Sequence, residues 1–471
     1  MSSTPRVLSS ALRGRRLAVV LSGGGALGAY EVGVLRVLEQ LRVRPAILAG
    51  VSVGAINAVA WLAHDFRARS LERVWSSLRG SEIGLRWTSL LLRLLGGLVA
   101  AVGVTEAALT LASSQELSAL RLFHRRVTVH ADVQAILLDV LAWVLVAAGG
   151  AALVFFARPT DEWVAALSSK IESARAYRWL GRVLLVGIAI HVLTLFFGVP
   201  WPHRFSATAL LVGGALWLFG RHGRSNEAAR EWLMRMFPET RGRGLWGTEP
   251  RRRLIERLVG EGDPERLLGG ETHLIVSACD LASGRIVHFV NWPEPNQRFR
   301  SRIARVLGEV MPLARAADVM RAALASSALP ILYEPVRIYG REFVDAGPFS
   351  NQPIHVAIAD DAEAVLVVLL SPSAGPSPGA HEPNLLELGG RLLELASWRE
   401  LQGELLALPA EWTRQPHPAT GDPARICVVE PATILPGGVL GFAPDHASTL
   451  MHRGETDAWR ALEQAGWLKP A

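Results

Sequence analysis

The chain has 471 residues, which is enough for one large core or for several domains. Half of its residues are hydrophobic and its mean hydropathy is +0.25, a value that is high for a soluble protein. Its two cysteines exclude a disulfide framework. Its net charge of +6 favours an anionic lipid surface over nucleic acid, since no nucleic-acid-binding motif surrounds the arginine-rich stretch 241–253.

The first predicted strand–helix unit carries a glycine-rich loop. The apolar run Leu17–Leu21 is typical of a short buried strand, and Ser22 and Gly23-Gly24-Gly25-Ala26-Leu27-Gly28 follow it. Such a loop offers unblocked backbone N–H groups that can hold an oxyanion. Its spacing also matches a dinucleotide fingerprint, but no acidic residue stands between Glu39 and Asp65, where the ribose hydroxyl requires one.

The second predicted strand–helix unit carries a serine between glycines. The apolar run 46–49 ends in Gly50-Val51-Ser52-Val53-Gly54, and apolar residues then recur at helical spacing. Small neighbours allow a strained turn that exposes the hydroxyl, and the helix N-terminus favours developing negative charge. This pattern of Gly50, Ser52 and Gly54 predicts a nucleophile elbow with Ser52 as the nucleophile.

Most of the excess hydrophobicity lies between residues 90 and 220. The apolar runs there are Leu90–Thr110, Val140–Ala157, Val183–Val199 and Ala207–Gly220. At about 1.5 Å per residue the two middle runs approach the hydrocarbon thickness of a bilayer, whereas the first contains Arg93 and Glu106 and the last is short. We expect four membrane crossings. Two crossings, or a set of buried core helices, are the alternatives.

Charges around these runs predict their orientation. Basic residues follow the second run and the last run: Arg158, Lys170, Arg175, Arg178, Arg182, Arg221, Arg224, Arg230 and Arg235. The positive-inside rule puts these segments on the cytoplasmic side, and with them the chain before the first run and after the last run. Arg121, Arg125 and Arg126 between the first two runs weaken the signal.

Two further features bear on the expected location and on the membrane interior. The apolar run at 17–21 is too short for a signal peptide. We therefore expect an integral protein of the cytoplasmic (inner) membrane of a bacterium. His191, the only ionisable residue of the third run, is either a functional intramembrane group or a neutral imidazole bonded to a neighbouring helix.

The second half of the chain supplies a carboxylate. Asp345, in Phe343-Val344-Asp345-Ala346-Gly347, ends an apolar run and begins a turn, where it can face a cleft and act as the base for Ser52. An aspartate that opens a glycine-containing turn is also a common turn former. His446 follows Asp345 in chain order and is the candidate for a Ser-His-Asp arrangement, although a helix cap or a surface position is its plainer role.

These motifs, in this order, resemble the patatin-like phospholipase family. The family carries a Gly-Gly-Gly-x-x-Gly loop, a Gly-x-Ser-x-Gly elbow and a distant Asp-Gly-Gly/Ala motif. Further stretches that are similar to it are Leu274–Leu281, Ala325–Pro330 and Asn351-Gln352-Pro353. The resemblance covers about residues 15–85 and 245–370.

The resemblance implies a fold and a site. The fold is α/β, a three-layer sandwich with a mainly parallel sheet, interrupted here by a helical transmembrane insertion. Ser52 is the nucleophile and Asp345 the base of a dyad without histidine, and the N–H groups of Gly23, Gly24 and Gly25 form the oxyanion hole. No cofactor or metal is implied. Leu27 stands where many members have arginine, which leaves phosphate recognition open, and Ala346 replaces a glycine.

The resulting layout has five parts, and three late elements follow the Asp345 motif. The parts are a basic N-terminal tail (1–14), the first half of the catalytic domain (15–85), the insertion (86–240), the second half (241–435) and a C-terminal closing helix (436–471). The late elements are a helix over Leu385–Leu406, a strand over Ile426–Val429 and a helix over Ser448–Ala465. Cys279 and Cys427 are isolated, and we interpret them as buried apolar residues.

The expected function is that of a membrane-bound serine lipid acyl hydrolase of the phospholipase A or lysophospholipase type. Its partners are membrane lipids as substrate, and no nucleic acid is expected. A non-hydrolytic lipid-binding or regulatory membrane protein and a lipid acyltransferase are the alternatives. Headgroup, acyl position and oligomeric state stay open.

Overall fold

The computed structural model describes residues 6–12, 14–84, 96–108, 111, 140–152, 243–269, 271–375 and 385–470. Contacts divide the chain into two units, Met1–Leu85 with Arg243–Ala471, and Arg86–Gly242. The predicted runs Val183–Val199 and Ala207–Gly220, with His191, lie outside the described residues, and so do parts of the two earlier runs. Among the helices that are described, none combines the length and the apolar character that a bilayer crossing needs.

A largely parallel sheet forms the centre of the first unit, so the predicted α/β class is confirmed. Within the described residues the strands are β1 (Arg6–Leu8), β2 (Leu17–Leu21), β3 (Ile47–Val51), β4 (His273–Asp280), β5 (Ile286–Val290), β6 (Gly308–Pro312), β7 (Val336–Ile338), β8 (Arg341–Asp345), β9 (Ala364–Val368), β10 (Ile426–Val429) and β11 (Leu468–Pro470). The sheet has nine strands, seven of them in the order β10-β9-β2-β3-β4-β5-β6, while β8 pairs with β4 and β7. Strands β2, β3 and β9 are buried along their whole length, as the continuous apolar runs of a parallel sheet require.

Antiparallel pairs enter the sheet on both edges of β4: β5 lies along one edge, and β8 follows β3 along the other. The pairs β4–β5, β4–β8 and β7–β8 are antiparallel, whereas β3–β4 and β5–β6 are parallel. A separate antiparallel pair joins β1 to β11, so the segment that we expected to be a tail, residues 1–14, contributes a strand.

Helices pack on this sheet and on one another. They are α1 (Ala29–Gln40), α2 (Val53–Ala63), α3 (Arg69–Trp75), α4 (Glu249–Gly260), α5 (Gln297–Arg305), α6 (Ala316–Ser326), α7 (Ile354–Ala359), α8 (Leu385–Leu406) and α9 (Pro444–Gln464). Phe299 of α5, Val356 of α7 and Leu401 of α8 join Val20 and Ile47 in one core cluster. Helix α9 begins earlier than predicted, since Pro444 can occupy the first turn, where no amide donor is required.

The second unit contains two helical segments in close contact, residues 96–108 and 140–152. A Cβ atom on Gly103 would lie 2.5 Å from the backbone nitrogen of Ala147, so only glycine permits this approach. Several large apolar side chains of these segments are exposed: Leu98, Val104, Leu141, Val144 and Leu145 are each between 49% and 64% exposed.

Candidate active site

Ser52 lies in a sharp turn between β3 and α2. Its φ of 55° and ψ of −123° put a non-glycine residue in strained backbone, at a cost of about 1–3 kcal/mol. The turn needs both neighbouring glycines, because a Cβ atom on Gly50 would lie 2.6 Å from the carbonyl oxygen of Gly54. A Cβ atom on Gly54 would lie 2.5 Å from the carbonyl oxygen of Leu21. The geometry is that of a nucleophile elbow.

Asp345 lies at the end of β8 and meets Ser52 directly. The Ser52 hydroxyl donates a hydrogen bond of 2.6 Å to Oδ2 of Asp345. The other carboxylate oxygen, Oδ1, accepts a hydrogen bond of 2.7 Å from the backbone N–H of Gly347. Asp345 is completely buried. The structure therefore brings together the two side chains that the sequence singled out for proton transfer.

The surroundings of Asp345 make it a stronger base than an ordinary aspartate. Burial raises its pKa from 3.8 to about 6, against the lowering effects of the hydrogen bonds from Ser52 and Gly347 and of the positive charge of Arg251. At neutral pH the carboxylate is thus largely ionised. It is also closer in proton affinity to the group that it must deprotonate.

The glycine loop next to Ser52 is held by Asn351. The backbone N–H of Gly23 donates to Oδ1 of Asn351 at 3.0 Å, and Nδ2 of Asn351 donates to the carbonyl of Gly23 at 3.1 Å. Gly23 therefore gives its N–H to a side chain and has no donor left for an oxyanion. Within the described part of the chain, the N–H groups of Gly24 and Gly25 have no acceptor. These two groups are therefore the donors that the loop can offer to an oxyanion.

A second loop covers the glycine loop. Gly25 has a φ of 55°, and a Cβ atom there would collide with the carbonyl oxygen of Val439. That carbonyl accepts a hydrogen bond of 2.8 Å from the backbone N–H of Ala26. The close approach fixes the conformation in which the Gly24 and Gly25 amides are presented.

The elbow has a support that the sequence did not reveal. The backbone N–H of Ser52 donates to Oγ of Ser326 at 2.8 Å, and this hydroxyl donates to the carbonyl of Ser277 at 2.7 Å. All three groups are buried. Ser326 belongs to the stretch Ala325–Pro330 that resembles the family, so a signal was present, but it carried no assignment to a role.

An apolar pocket opens beside the dyad. It comprises about 600 Å³ of empty space, part of which is open to solvent. Ser52 and Gly25 lie at its wall, and the rest of the lining is mostly aliphatic and aromatic: Ile56, Val74, Trp75, Leu254, Leu258 and Phe442. A pocket of this composition is suited to a hydrocarbon chain, with the ester end at Ser52.

One cation lies in the wall of this pocket. Arg251 of α4 is 3% exposed, and its guanidinium carbon lies 3.7 Å from the centre of the Tyr333 ring. Nη1 donates to the carbonyl of Ser327 at 2.6 Å and to its hydroxyl at 3.0 Å. Burial lowers the Arg251 pKa to about 10. The arginine-rich stretch 241–253 favours contact with an anionic lipid surface, but Arg251 is buried because its apolar neighbours on α4, Leu254 and Leu258, face the same pocket.

The other candidates lie away from this geometry. His446 is exposed, and its Nδ1 lies 3.4 Å from the carbonyl oxygen of Gly441. Among the described hydrogen bonds, none joins His446 to Ser52 or Asp345. Cys279 and Cys427 are buried free thiols, as we interpreted them. In the described ranges, no group of three or more His, Cys, Asp or Glu side chains could hold a metal ion.

Comparisons with known proteins agree with the motifs. A family model described as patatin-like phospholipase matches residues 19–358. Among solved structures, the chain is similar to VipD from Legionella pneumophila, with 12% identity and a TM-score of 0.36 over 99% of this chain and 71% of that one. At this TM-score the likeness supports no conclusion about this chain. No curated protein matches it.

Proposed function

The chain belongs to the patatin-like phospholipase family and is therefore a lipid acyl hydrolase, and we propose that it is a membrane-bound enzyme that cleaves acyl esters through Ser52 and Asp345. The observation that carries this proposal is the hydrogen bond of 2.6 Å between the Ser52 hydroxyl and the Asp345 carboxylate, at the wall of an apolar pocket. A buried serine–carboxylate pair is suited to nucleophilic catalysis, since the carboxylate can take the hydroxyl proton directly.

The first half of the reaction forms an acyl-enzyme. Oγ of Ser52 attacks the ester carbonyl carbon while Oδ2 of Asp345 takes the hydroxyl proton. The negative charge moves to the carbonyl oxygen, where the free N–H groups of Gly24 and Gly25 are available as donors. When the tetrahedral intermediate collapses, the carbon–oxygen bond to the alcohol breaks and Asp345 returns its proton to the leaving oxygen.

The second half releases the fatty acid. A water molecule gives a proton to Asp345 and attacks the acyl carbon, and the bond to Ser52 then breaks as the proton returns to Oγ. Each half of the reaction leaves Asp345 ionised again, so the cycle needs only water as co-substrate. If an alcohol took the place of water in this half, the product would be a new ester, and this acyl transfer is the second candidate activity.

Attachment to a membrane is the finer part of the proposal. The described segments 96–108 and 140–152 expose large aliphatic side chains and approach each other through glycines, a mode of contact common between helices in lipid. Ser52 precedes the second unit and Asp345 follows it, yet they are in contact. Any crossings between them must therefore be even in number, which is compatible with four or with two.

The side of the membrane follows from charge and is also a proposal. The basic segments after the second and the last apolar runs favour the cytoplasmic face of a bacterial inner membrane for both halves of the first unit. Both native cysteines are buried, so a single new cysteine at the exposed position Thr449 gives a specific label. An impermeant maleimide should label Thr449→Cys only after spheroplasts are lysed. Labelling of intact spheroplasts would contradict this orientation.

The hydrolase proposal is tested with the purified full chain in lipid nanodiscs. Fatty acid release is compared between wild type, Ser52→Ala and the exposed control Ser76→Ala across phospholipids and neutral glycerides. We expect the rate of fatty acid release to be at least about 1,000-fold lower in Ser52→Ala and unchanged in Ser76→Ala. Equal release by wild type and Ser52→Ala would favour the binding or regulatory role. Added alcohol acceptors distinguish acyl transfer, because their esters then appear among the products.

A further inference from the structure

Arg251 has a hydrogen-bonding edge that nothing in the described chain uses. Its Nη1 is engaged by Ser327, whereas its Nε and Nη2 are buried and have no hydrogen-bond partner among the described residues. Buried polar groups in folded proteins almost always find partners, so a pair of unpartnered donors on one side chain indicates a missing acceptor.

The shape of this edge restricts the acceptor. Nε and Nη2 lie on the same side of the planar guanidinium, and their N–H bonds form a fork that matches two oxygens of one anion. A carboxylate or a phosphate accepts both bonds at once, and such charge-assisted pairs are among the strongest hydrogen bonds in proteins. A neutral ester or hydroxyl oxygen would fill only one arm of the fork.

The charge on Arg251 points to the same class of ligand. The Tyr333 ring covers one face of the guanidinium, but in the described residues no carboxylate hydrogen-bonds to it. Buried charges are normally paired, because an isolated one loses its hydration without compensation. Asp345 and Glu334 act on this charge only through space, and an anion at the free edge would add a hydrogen-bonded partner.

Two adjacent serines connect Arg251 to the nucleophile. Ser326 accepts from the backbone N–H of Ser52, and Ser327 accepts from Arg251. Both Arg251 and Ser52 line the same pocket, together with Leu254 of α4. A ligand whose ester reaches Ser52 thus has its neighbouring groups within the part of the pocket that Arg251 bounds.

We propose that Arg251 binds a two-oxygen anionic group of the lipid, through Nε and Nη2, and so gives this site a preference for anionic lipids. The proposal rests on the proposed function, because the lipid ester is taken to lie at Ser52. It supplies the cation that Leu27 does not provide in the glycine loop. Since Nε and Nη2 are covered by protein, the side chains around them must move when the anion enters.

The anion has two chemical sources, the phosphate of a phospholipid and the carboxylate of a released fatty acid. Binding is measured by calorimetry with the full chain in nanodiscs, in a Ser52→Ala background that prevents turnover. The probes are dihexanoyl phosphatidic acid and octanoate, with dihexanoylglycerol as the neutral probe. We expect at least one anion to bind about 10- to 100-fold more weakly when Arg251→Gln is introduced, with dihexanoylglycerol changed less than about threefold.

Control variants separate recognition from general charge and from folding. Arg253→Gln removes the same charge from an exposed position of α4 and should leave all three affinities unchanged. Arg251→Lys keeps the charge without the fork and should lose affinity to an intermediate extent. If Arg251→Gln fails to fold, the comparison uses Arg251→Lys, whose folding is checked by its melting temperature.

The outcomes also separate this proposal from the hydrolase proposal. If only the affinity for phosphatidic acid falls in Arg251→Gln, the bound anion is the lipid phosphate. If only the affinity for octanoate falls, it is the carboxylate of the product. The proposal would be overturned if Arg251→Gln changed neither anion affinity, or if Arg253→Gln lowered them by the same factor. Because binding is measured without turnover, it decides the role of Arg251 even if wild-type protein releases no fatty acid.

Discussion

Ser52 and Asp345 are 293 positions apart in the chain and are joined by a hydrogen bond of 2.6 Å. The contact follows from the pairing of β4, which continues from one partner strand to another. Val51, at the end of β3, pairs with Ser277 of β4, and Asp345, at the end of β8, pairs with the next residue, Ala278. Strands β3 and β8 therefore meet end to end along β4, and the elbow after β3 is directed at the last residue of β8.

Asp345→Asn should have opposite effects on activity and on stability. The substitution removes the base, and we expect kcat to fall by about 100- to 10,000-fold. The same substitution removes a buried charge. Since the folded-state pKa is raised from 3.8 to about 6, Asp345 favours folding most below pH 3.8, and this contribution is lost as pH rises through 6.

The difference in stability between Asp345→Asn and wild type is therefore expected above a pH of about 6. A shift of this size corresponds to at most about 3 kcal/mol, so Asp345→Asn should unfold at a higher temperature than wild type at pH 8 and lose this advantage at pH 4. Thermal denaturation at both pH values measures the difference. A variant that is less stable than wild type at pH 8 would show that the charged form is favoured in the fold.

The acidic limb of the pH–rate profile should report Asp345. Only the ionised carboxylate can accept the Ser52 proton, so kcat/KM should fall about tenfold per pH unit below about 6. The positive charge of Arg251 lowers the Asp345 pKa. Arg251→Gln should consequently move the limb to higher pH, whereas Arg253→Gln should leave it in place. A limb near pH 4 in wild type would contradict the desolvated carboxylate.

Much of the fold and the two reactive side chains could be predicted from the sequence, because their signals are local. The resemblance to the family is confirmed, and the buried strands β2 and β3 follow from short apolar runs next to glycines. The glycines of the elbow are set by contacts within a few residues or with the adjacent strand. Patterns of this kind are visible in one sequence without knowledge of long-range packing.

The parts that escaped prediction depend on residues far apart in the chain. The pair β1–β11 joins the two ends of the described chain, and the antiparallel β8 depends on its pairing with β4. In the sequence, nothing distinguishes Arg251 from the other arginines around it. Only the packing of α4 against the pocket shows that it is buried. Asn351 likewise meets Gly23 across 328 positions. No periodicity encodes such contacts.

Ser326→Ala should weaken the elbow without touching the dyad. It removes the acceptor of the Ser52 N–H and the donor to the Ser277 carbonyl, and leaving buried groups unpaired costs about 1–3 kcal/mol each. We expect a lower melting temperature and a reduced kcat. Ser9→Ala is the matched control, because the buried Ser9 hydroxyl has no partner in the described part of the chain. Equal destabilisation by both substitutions would argue against a supporting role for Ser326.

Asn351→Ala should loosen the glycine loop. Asn351 holds Gly23 through two hydrogen bonds, and loss of this restraint misplaces the neighbouring Gly24 and Gly25 donors. Such donors act mainly in the transition state, so kcat should fall about 10- to 100-fold while KM changes little. Asn296→Ala is the control: it removes the cap of α5, which costs stability, but should preserve kcat. A rise in KM alone would indicate that Asn351 serves lipid binding.

Leu254→Trp should shorten the acyl chain that the pocket accepts. Leu254 is buried and lines the pocket with Ser52, so a larger ring there fills space that the distal carbons of a chain would occupy. Each methylene kept out of the pocket forfeits about 0.8 kcal/mol, and the exclusion of two costs roughly 15-fold in kcat/KM. The comparison uses esters of hexanoate and palmitate, measured on wild type, Leu254→Trp and the opposite change Leu254→Ala. We expect Leu254→Trp to lose palmitate activity selectively and Leu254→Ala to keep it. An equal loss on both chain lengths would mean that the chain binds outside this pocket, since a filled acyl site must discriminate by length.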